Sequence, residues 1–594
     1  MEGEVQFLSD HMSVFAHKLR ELIQISSQYG FNGSSQLLRQ TLINQKAKKL
    51  YQNWVRDYDT LREVDRRAII KDIKNFDHKP LISVLMPVFN TNEKWLRLAI
   101  ESVRKQLYAN WELCIADDNS TKSHVRCVLE EYVSQDARIK VVYRPFNGHI
   151  SAASNSALDL AQGDFCALLD HDDELTEHAL YFLAKEVNKF PATNMLYSDE
   201  DVIDQRGRRH NPKFKPDWSQ DLFYSINLIT HLSAYRTSFL RKINGFEEGC
   251  EGSQDYDLAL RIIEQIPAET IRHIPHILYH WRAIPGSVAL SADEKSYAHG
   301  KARNAIRLHL QRVGVEAEAV QGYKHLHRVR YHLPKDQPLI SLILQVGDKN
   351  KIMTRANQIT EHLPYKNIEL TSVTSSEATA LNEAAEQAKG EILIFLQNSL
   401  IPINNDWLEE LASQALRSEV GAVGGKLYFP NGTIKSGGII FGINNLYGNA
   451  HKNFTEQATG HFIRAQVVGN FSAVSGACLA VRRKIFCEAK GFDVTNFNNG
   501  LFDLDFCLRL TKEGYRVVWT PYAKFIQIEN SPSDQVLSNF VERGTENLEI
   551  KIFKEKWQSI IKNDQFYNIN LTLKTESFNV ELPPRFSKPW QQYL

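Results

Sequence analysis

The chain repeats itself. Pro338-Leu339-Ile340-Ser341-Leu342-Ile343-Leu344 restarts the pattern that opens at Pro80-Leu81-Ile82-Ser83-Val84-Leu85-Met86, and the likeness continues far downstream. Gly245-Phe246 with Asp255-Tyr256-Asp257-Leu258-Ala259-Leu260-Arg261 returns as Gly491-Phe492 with Asp503-Leu504-Asp505-Phe506-Cys507-Leu508-Arg509. In both copies the arginine stands six positions after the first aspartate (261 − 255 = 6 and 509 − 503 = 6). A repeat of this length indicates two similar domains in tandem, and 594 residues exceed what one hydrophobic core accommodates. The expected organisation is a helical module over 1–79, a first domain over 80–316, a linker over 317–337, a second domain over 338–560 and a tail over 561–594. Pro583-Pro584 and Pro589 leave that tail without a clear pattern.

Within the first copy, apolar runs alternate with helical patterns. Strands are expected over 81–89, 111–116 and 139–143, helices over 93–106, 123–132 and 150–161, followed by the apolar run Phe165-Cys166-Ala167-Leu168-Leu169. Such alternation predicts an α/β fold with a mostly parallel sheet covered on both faces. Right-handed crossovers gather the carboxyl ends of the strands along one edge, where ligands bind. Directly after the last run come Asp170, Asp172 and Asp173, three carboxylates in four positions. Like charges so close repel, and a cation or hydrogen-bond donors compensate them; Mg²⁺ and Mn²⁺ take oxygen ligands of this kind. The plainer reading is that Asp172 and Asp173 cap a helix beginning near Thr176. Before Pro80 the chain carries helical periodicity and charge, and Thr60 with Glu63 resembles a capping box. This region reads as a docking or support module, or simply as a charged, solvated helix.

Lys+Arg and Asp+Glu are equal at 70 each, so no global charge points to nucleic acid. The seven cysteines are odd in number and lack CxxC spacing, which suits reduced core residues of a cytoplasmic protein better than a disulfide framework or zinc site. The N-terminus shows no secretory signal pattern, and no run of about 18 apolar residues occurs. The expected location is cytoplasmic, with at most a peripheral contact at the inner membrane face.

Taken in order, several segments resemble the family 2 glycosyltransferases, of the tandem two-domain type associated with bacterial O-antigen and capsule assembly. They are Ile82-Ser83-Val84-Leu85-Met86-Pro87-Val88-Phe89-Asn90, Ala116-Asp117-Asp118-Asn119-Ser120, Leu169-Asp170-His171-Asp172-Asp173, Lys215-Pro216-Asp217-Trp218-Ser219 and Gly252-Ser253-Gln254-Asp255-Tyr256-Asp257. The resemblance covers about 50–330 strongly and 338–550 more loosely. It implies two tandem GT-A domains, Rossmann-like, and a donor that is a nucleotide-diphosphate sugar, carrying UDP or dTDP and a hexose or rhamnose. The acceptor it implies is a glycan or lipid-linked saccharide. Pro87 and Phe89 would sit beside the base, Asp118 would accept from a uracil-like ring, and Asn147-Gly148 with the following helix start would help hold phosphate. Asp170-His171-Asp172 matches the DxD pattern: Asp170 would contact ribose, and Asp172 and Asp173 would hold Mg²⁺ or Mn²⁺ with His280. Asp255 would be the catalytic base, taking the acceptor hydroxyl's proton during in-line, inverting attack. Trp218, Asp199 and Glu200 would line the acceptor site. Each residue also has a plainer role: a polar turn for 117–120, a core position for Trp218 and His280, a helix cap for Asp255.

The second copy departs from this pattern. Aligned on its first strand it has Gln345 for Pro87, Val373-Thr374-Ser375-Ser376 around the counterpart of Asp118, and Phe395-Leu396-Gln397-Asn398-Ser399 for the acidic motif. From Asp118 to Asp170 is 170 − 118 = 52 positions, but from Thr374 to Gln397 only 397 − 374 = 23, short by about one strand and one helix. Asp503 survives as a base without a donor site. The second domain is therefore expected to be a degenerate transferase kept for packing, acceptor-glycan binding or docking. The competing readings are a bifunctional transferase or polymerase, a non-catalytic carbohydrate-binding scaffold, and a nucleotidyltransferase.

Overall fold

The computed structural model describes residues 46–284, 296–346, 352–361, 363–543 and 547–594; most of the expected N-terminal module lies outside them. The chain divides into two compact units, 1–60 and 61–594. In the first, residues 46–54 are helical and run into a π-helical turn at Val55–Asp59, where Thr60 Oγ1 donates to the Val55 carbonyl at 2.8 Å. The second opens with a helix at Glu63–Lys74. Thr60 and Glu63 do not form the expected capping box: Asp65 Oδ2 accepts the Arg62 N–H at 3.0 Å. A carboxylate three residues after the first non-helical position reaches that orphan donor, which Glu63 stands too early to do.

The first sheet has nine strands: β1 Ile82–Val88, β2 Trp111–Asp117, β3 Ile139–Tyr143, β4 Phe165–Leu168, β5 Glu174–Leu175, β6 Met195–Ile203, β7 Arg209–Lys213, β8 Ser233–Arg236 and β9 Ile271–Arg282. Their order is β3-β2-β1-β4-β8-β6-β9-β5, with β7 on β6. The run β3-β2-β1-β4 is parallel; β8 enters antiparallel to both β4 and β6. Val84 and Leu85 are both buried although they face opposite sides, as continuous apolar runs require when helices cover both faces. β4 pairs with β1 only as far as Leu85↔Leu168, so the acidic loop climbs past the end of β1, where His171 Nδ1 lies 3.0 Å from the Pro87 carbonyl oxygen.

The second sheet repeats this order with Ile368–Val373, Ile340–Gln345, Ile392–Gln397, Cys478–Arg482, Val420–Tyr428, Arg516–Gln527 and Leu400–Pro402. Among the described residues nothing pairs outside Ile368–Val373, so the counterpart of β3 is missing, as the short spacing implied. A repeated corner underlies both sheets. Gly163 N–H donates to Ser83 Oγ at 2.9 Å and Ser83 to Glu112; Gly390 N–H donates to Ser341 Oγ at 2.9 Å and Ser341 to Glu369. A Cβ on Gly163 would lie 2.6 Å from the Leu81 carbonyl oxygen, so only glycine fits. Likewise Arg261, paired with Asp257, donates to the carbonyls of Ile243 and Gly245, and Arg509, paired with Asp505, to those of Ala489 and Gly491. The arginine of the repeated motif thus holds a turn in each copy, paired with the second aspartate four positions before it.

Residues 317–331 form a hairpin, Ala317–Gln321 with His327–Tyr331, whose Val329 is buried in the same cluster as Ala305 and Ile306. The last thirty residues are ordered against both halves. Asp564 accepts from Phe441 N–H and Ser472 Oγ, while Asn568 Nδ2 donates to Asp199 at 2.8 Å. Trp590, 2% exposed, donates to Asp65 at 2.9 Å. Between the two sheets' domains Asp221 is buried against Arg417 (2.7 Å), Arg516 (3.3 Å) and Asn470 (2.7 Å). No described helix is long and apolar enough to cross a membrane.

Candidate active site

The acidic motif leaves β4 and folds back onto β9. Asp173, 1% exposed, accepts from Tyr279 Oη at 2.6 Å and from the Arg282 N–H at 2.7 Å. Tyr279 Oη in turn accepts the Asp170 N–H at 3.2 Å, and the Asp172 carbonyl accepts from Arg282 Nε at 2.8 Å. The capping alternative is thereby corrected. The next helix, Ala179–Lys189, starts well beyond the motif and its N-cap His178 makes no side-chain cap bond. Burial pushes the Asp173 carboxyl well above the usual range, and the neighbouring Asp172 and Asp170 push it further. A group in that state gains most from a cation.

The carboxylates of Asp170 and Asp173 come together with the imidazole of His231, all three ligand atoms lying within 4.8 Å of one another. His231 was not anticipated. It sits two residues before β8 in the chain, the strand that joins β4 to β6, and no local spacing marks it. Its ring stacks on Tyr279 (4.4 Å, 9°), and its backbone N–H donates to Glu200 Oε2 at 3.1 Å. His280, expected among the metal ligands, instead places Nδ1 2.5 Å from the buried Asp201 Oδ1. Asp172 is half-buried and stands beside the three-residue group without belonging to it.

Asp255 lies in the first turn of the helix Gln254–Ile263, with Asn227 Nδ2 donating to its Oδ2 at 2.8 Å. Burial raises its pKa; His231 opposes the rise and Asp170 adds to it. The expected base therefore shares one electrostatic environment with the acidic motif. Asp257, two residues on, faces the Arg261 clamp.

On the nucleotide side, Asp118 is 2% exposed at the end of β2; its Oδ1 faces Arg144 Nε at 2.9 Å and accepts the Gly148 N–H at 3.0 Å. Asn147 Nδ2 donates to the Asp118 carbonyl at 3.2 Å. A Cβ on Gly148 would meet the end of the Arg144 side chain, which would have to shift to make room. Pro87 is half-buried and Phe89 is 44% exposed at the end of β1.

The expected acceptor contacts need correction. Asp199 is fully buried and accepts from the Lys215 N–H (2.8 Å) and Asn568, and it faces His273 Nε2 at 2.9 Å. Glu200 is fully buried against Lys213 (2.5 Å), Lys215 (3.0 Å) and Thr230 (2.9 Å). The oxygens of both carboxylates are engaged in the interior, and Glu200 reaches the site only by accepting the backbone N–H of His231. Trp218 is half-buried and packs on Phe223 (5.1 Å).

In the second copy Asp503 occupies the position of Asp255 but is 2% exposed, accepting from the Gly476 N–H at 2.7 Å and Ser533 Oγ at 2.5 Å. Among the described residues no group of three metal-ligating side chains lies there.

Two family models match the chain: "Glycosyl transferase family 2" over 83–244 and "Glycosyltransferase like family 2" over 329–546. The uncharacterized protein y4gI of Sinorhizobium fredii is 36% identical over 90% of this chain and 62% of its own length. The O-antigen biosynthesis protein RfbC of Myxococcus xanthus is 33% identical over 77% of this chain and 38% of its own. The putative colanic acid biosynthesis glycosyl transferase WcaA of Escherichia coli is 32% identical over 34% of this chain and 74% of its own. The chain thus spans less than two thirds of the first two relatives.

Proposed function

The chain belongs to glycosyltransferase family 2 and carries two such domains in tandem, and from that premise we propose that both have the GT-A fold, the first an inverting, metal-dependent transferase and the second a degenerate copy. The donor is a nucleotide-diphosphate sugar, with UDP or dTDP as the nucleotide, and the acceptor a glycan or lipid-linked saccharide in surface polysaccharide assembly. The observation that carries the reading is the convergence of Asp170, Asp173 and His231 on one point, in the electrostatic reach of Asp255.

Two carboxylates and an imidazole fit a hard divalent ion, and the nitrogen donor favours Mn²⁺ over Mg²⁺. Such an ion, when bound, offsets the negative charge that develops on the departing diphosphate. The chain's own residues do the rest. Asp118 offers its second carboxylate oxygen to the base, oriented by Arg144 and Gly148. Asn227 fixes one oxygen of Asp255, and burial raises the carboxyl so that it accepts the acceptor hydroxyl's proton more readily than an ordinary aspartate. Tyr279 and Arg282 hold Asp173 in place as supporting partners. The second domain lacks the acidic motif in sequence and, among the described residues, the counterpart of β3, and its surviving aspartate is sealed.

Calorimetric titration with UDP, dTDP and GDP, with and without Mn²⁺, tests this. One nucleotide per chain is expected, dependent on metal, lost in Asp170→Asn and kept in Asp255→Asn, which loses transfer. Two nucleotides per chain would establish the bifunctional reading instead, and none would point to a carbohydrate-binding scaffold.

A further inference from the structure

The second domain keeps an open cavity where its nucleotide site would have been. It measures about 360 Å³ and lies over the carboxyl ends of three parallel strands, whose residues Gln345, Val373 and Gln397 stand in one register. That volume falls in the range of small-molecule sites, about 300–1,000 Å³. The far wall is Glu529, Asn530, Pro532 and Gln535, from the segment after Arg516–Gln527 and the helix that follows it.

Its chemistry differs from that of the first domain. Where Asp170 and Asp172 would stand there are amides and hydroxyls, and of the described lining side chains Glu529 alone is charged. Among the described residues no lysine or arginine lines the cavity; Lys435, just behind Asn530, is engaged with Asp534 at 3.4 Å, and Glu529 would repel a diphosphate. The amides are also fixed. Gln397 Nε2 donates to the Asn530 carbonyl at 2.9 Å, while its Oε1 accepts from the buried Gln527 at 2.8 Å. Lys435 Nζ donates to Asn530 Oδ1 at 2.9 Å; an ammonium only donates, so the Asn530 amide turns its NH₂ away from it. Preorganised amide donors and acceptors beside Ser375, Ser376 and Thr374 match the alternating hydroxyls of a sugar ring, and Val346, Val373 and Pro532 supply apolar surface for its C–H face.

We propose that this cavity is a binding site for a neutral saccharide, holding part of the acceptor or product glycan away from the transfer site. Its biological sense rests on the reading of the first domain as the sugar-transferring one, but its test does not.

The experiment is saturation-transfer NMR on the full chain with the methyl glycosides of glucose, galactose, mannose, rhamnose and N-acetylglucosamine at millimolar concentration. At least one is expected to bind, and to weaken by about tenfold, the equivalent of one hydrogen bond to a rigid amide, in Asn530→Ala. Ser376→Phe, an exposed substitution that fills the cavity, should abolish binding with an unchanged melting temperature, and Asp170→Asn should leave it intact. Absence of a signal for every glycoside overturns the proposal. So does a signal that survives both cavity variants, or one displaced by UDP in Asp170→Asn. Failure of metal-dependent nucleotide binding in the unaltered protein would refute the transferase reading separately, leaving the glycoside result unaffected.

Discussion

Replacing Arg417 by methionine should cost the protein about 3 kcal/mol, because it strands a charge in the interior. Asp221 is 2% exposed and lies in the short helix Gln220–Phe223, and Arg417 reaches it at 2.7 Å from the second domain. Breaking one partner of a buried ion pair typically costs about 3–5 kcal/mol; Arg516 at 3.3 Å and Asn470 at 2.7 Å remain, which argues for the lower end. The same contacts set the pH dependence. Burial works against the ionised form, yet Arg417 and Arg516 hold the Asp221 carboxyl down to about 2. A depressed carboxyl contributes stability that is present above its unfolded value and lost as pH falls from about 4 to about 2, here roughly 2 kcal/mol. The assay is urea unfolding of the full chain followed by tryptophan fluorescence, as a double-mutant cycle of Arg417→Met and Asp221→Asn. Each single change should destabilise, the double should recover much of the loss, and the coupling should exceed about 2 kcal/mol. A loss below about 1 kcal/mol for Arg417→Met, or strictly additive losses, would refute the reasoning. Because the segment after this helix leads to Asn227, which orients Asp255, transfer rate should fall in Arg417→Met while nucleotide affinity stays.

Transfer by the native enzyme should show an acid limb above that of an ordinary aspartate, since burial raises Asp255; a limb at the ordinary carboxylate value would argue against it as the base. Burial disfavours the charged form of His273, but Asp199 and Asp217 raise its pKa to about 9. Its stabilisation is therefore complete below about 6.5 and lost as pH rises to about 9, and His273→Gln should flatten the alkaline side of the stability profile. Gly163→Ala should cost at least about 2 kcal/mol, as its Cβ would press on the Leu81 carbonyl at 2.6 Å, and thermal melting will show it. Paired Gln397→Ala and Asn398→Ala substitutions should leave sugar transfer chemistry intact; lost turnover in a folded protein would show that the second copy takes part in it.

How far the sequence could be read followed from the range of the forces involved. Periodicity, turn glycines and the repeated Asp–Arg spacing are local, so the strands β1 to β4, the tandem arrangement and the missing strand of the second copy were all visible in it. Asp170, Asp172, Asp173 and Asp255 drew attention for the same reason, each standing at the end of an element whose direction the pattern defines. The expected division, Asp170 on ribose and Asp172 with Asp173 on the ion, differs from the grouping of Asp170, Asp173 and His231 in the fold. His231 was not legible, because it reaches Asp170 and Asp173 only when β8 is inserted antiparallel between β4 and β6, a pairing between segments far apart in the chain. Asp199 and Glu200 resembled acceptor contacts in sequence; Lys213, Lys215 and the tail's Asn568 close over them. The tail itself, patternless in sequence, becomes ordered by hydrogen bonds to distant partners such as Asp65 and Asp199. The sequence alone determined where carboxylates stand: the first copy carries Asp170, Asp172 and Asp173 after its strand, and the second carries Gln397, Asn398 and Ser399 at the matching place. Only the tertiary structure decided which of those groups meet and which are sealed inside, because burial and cross-sheet contact depend on surfaces that exist only once the chain has closed on itself.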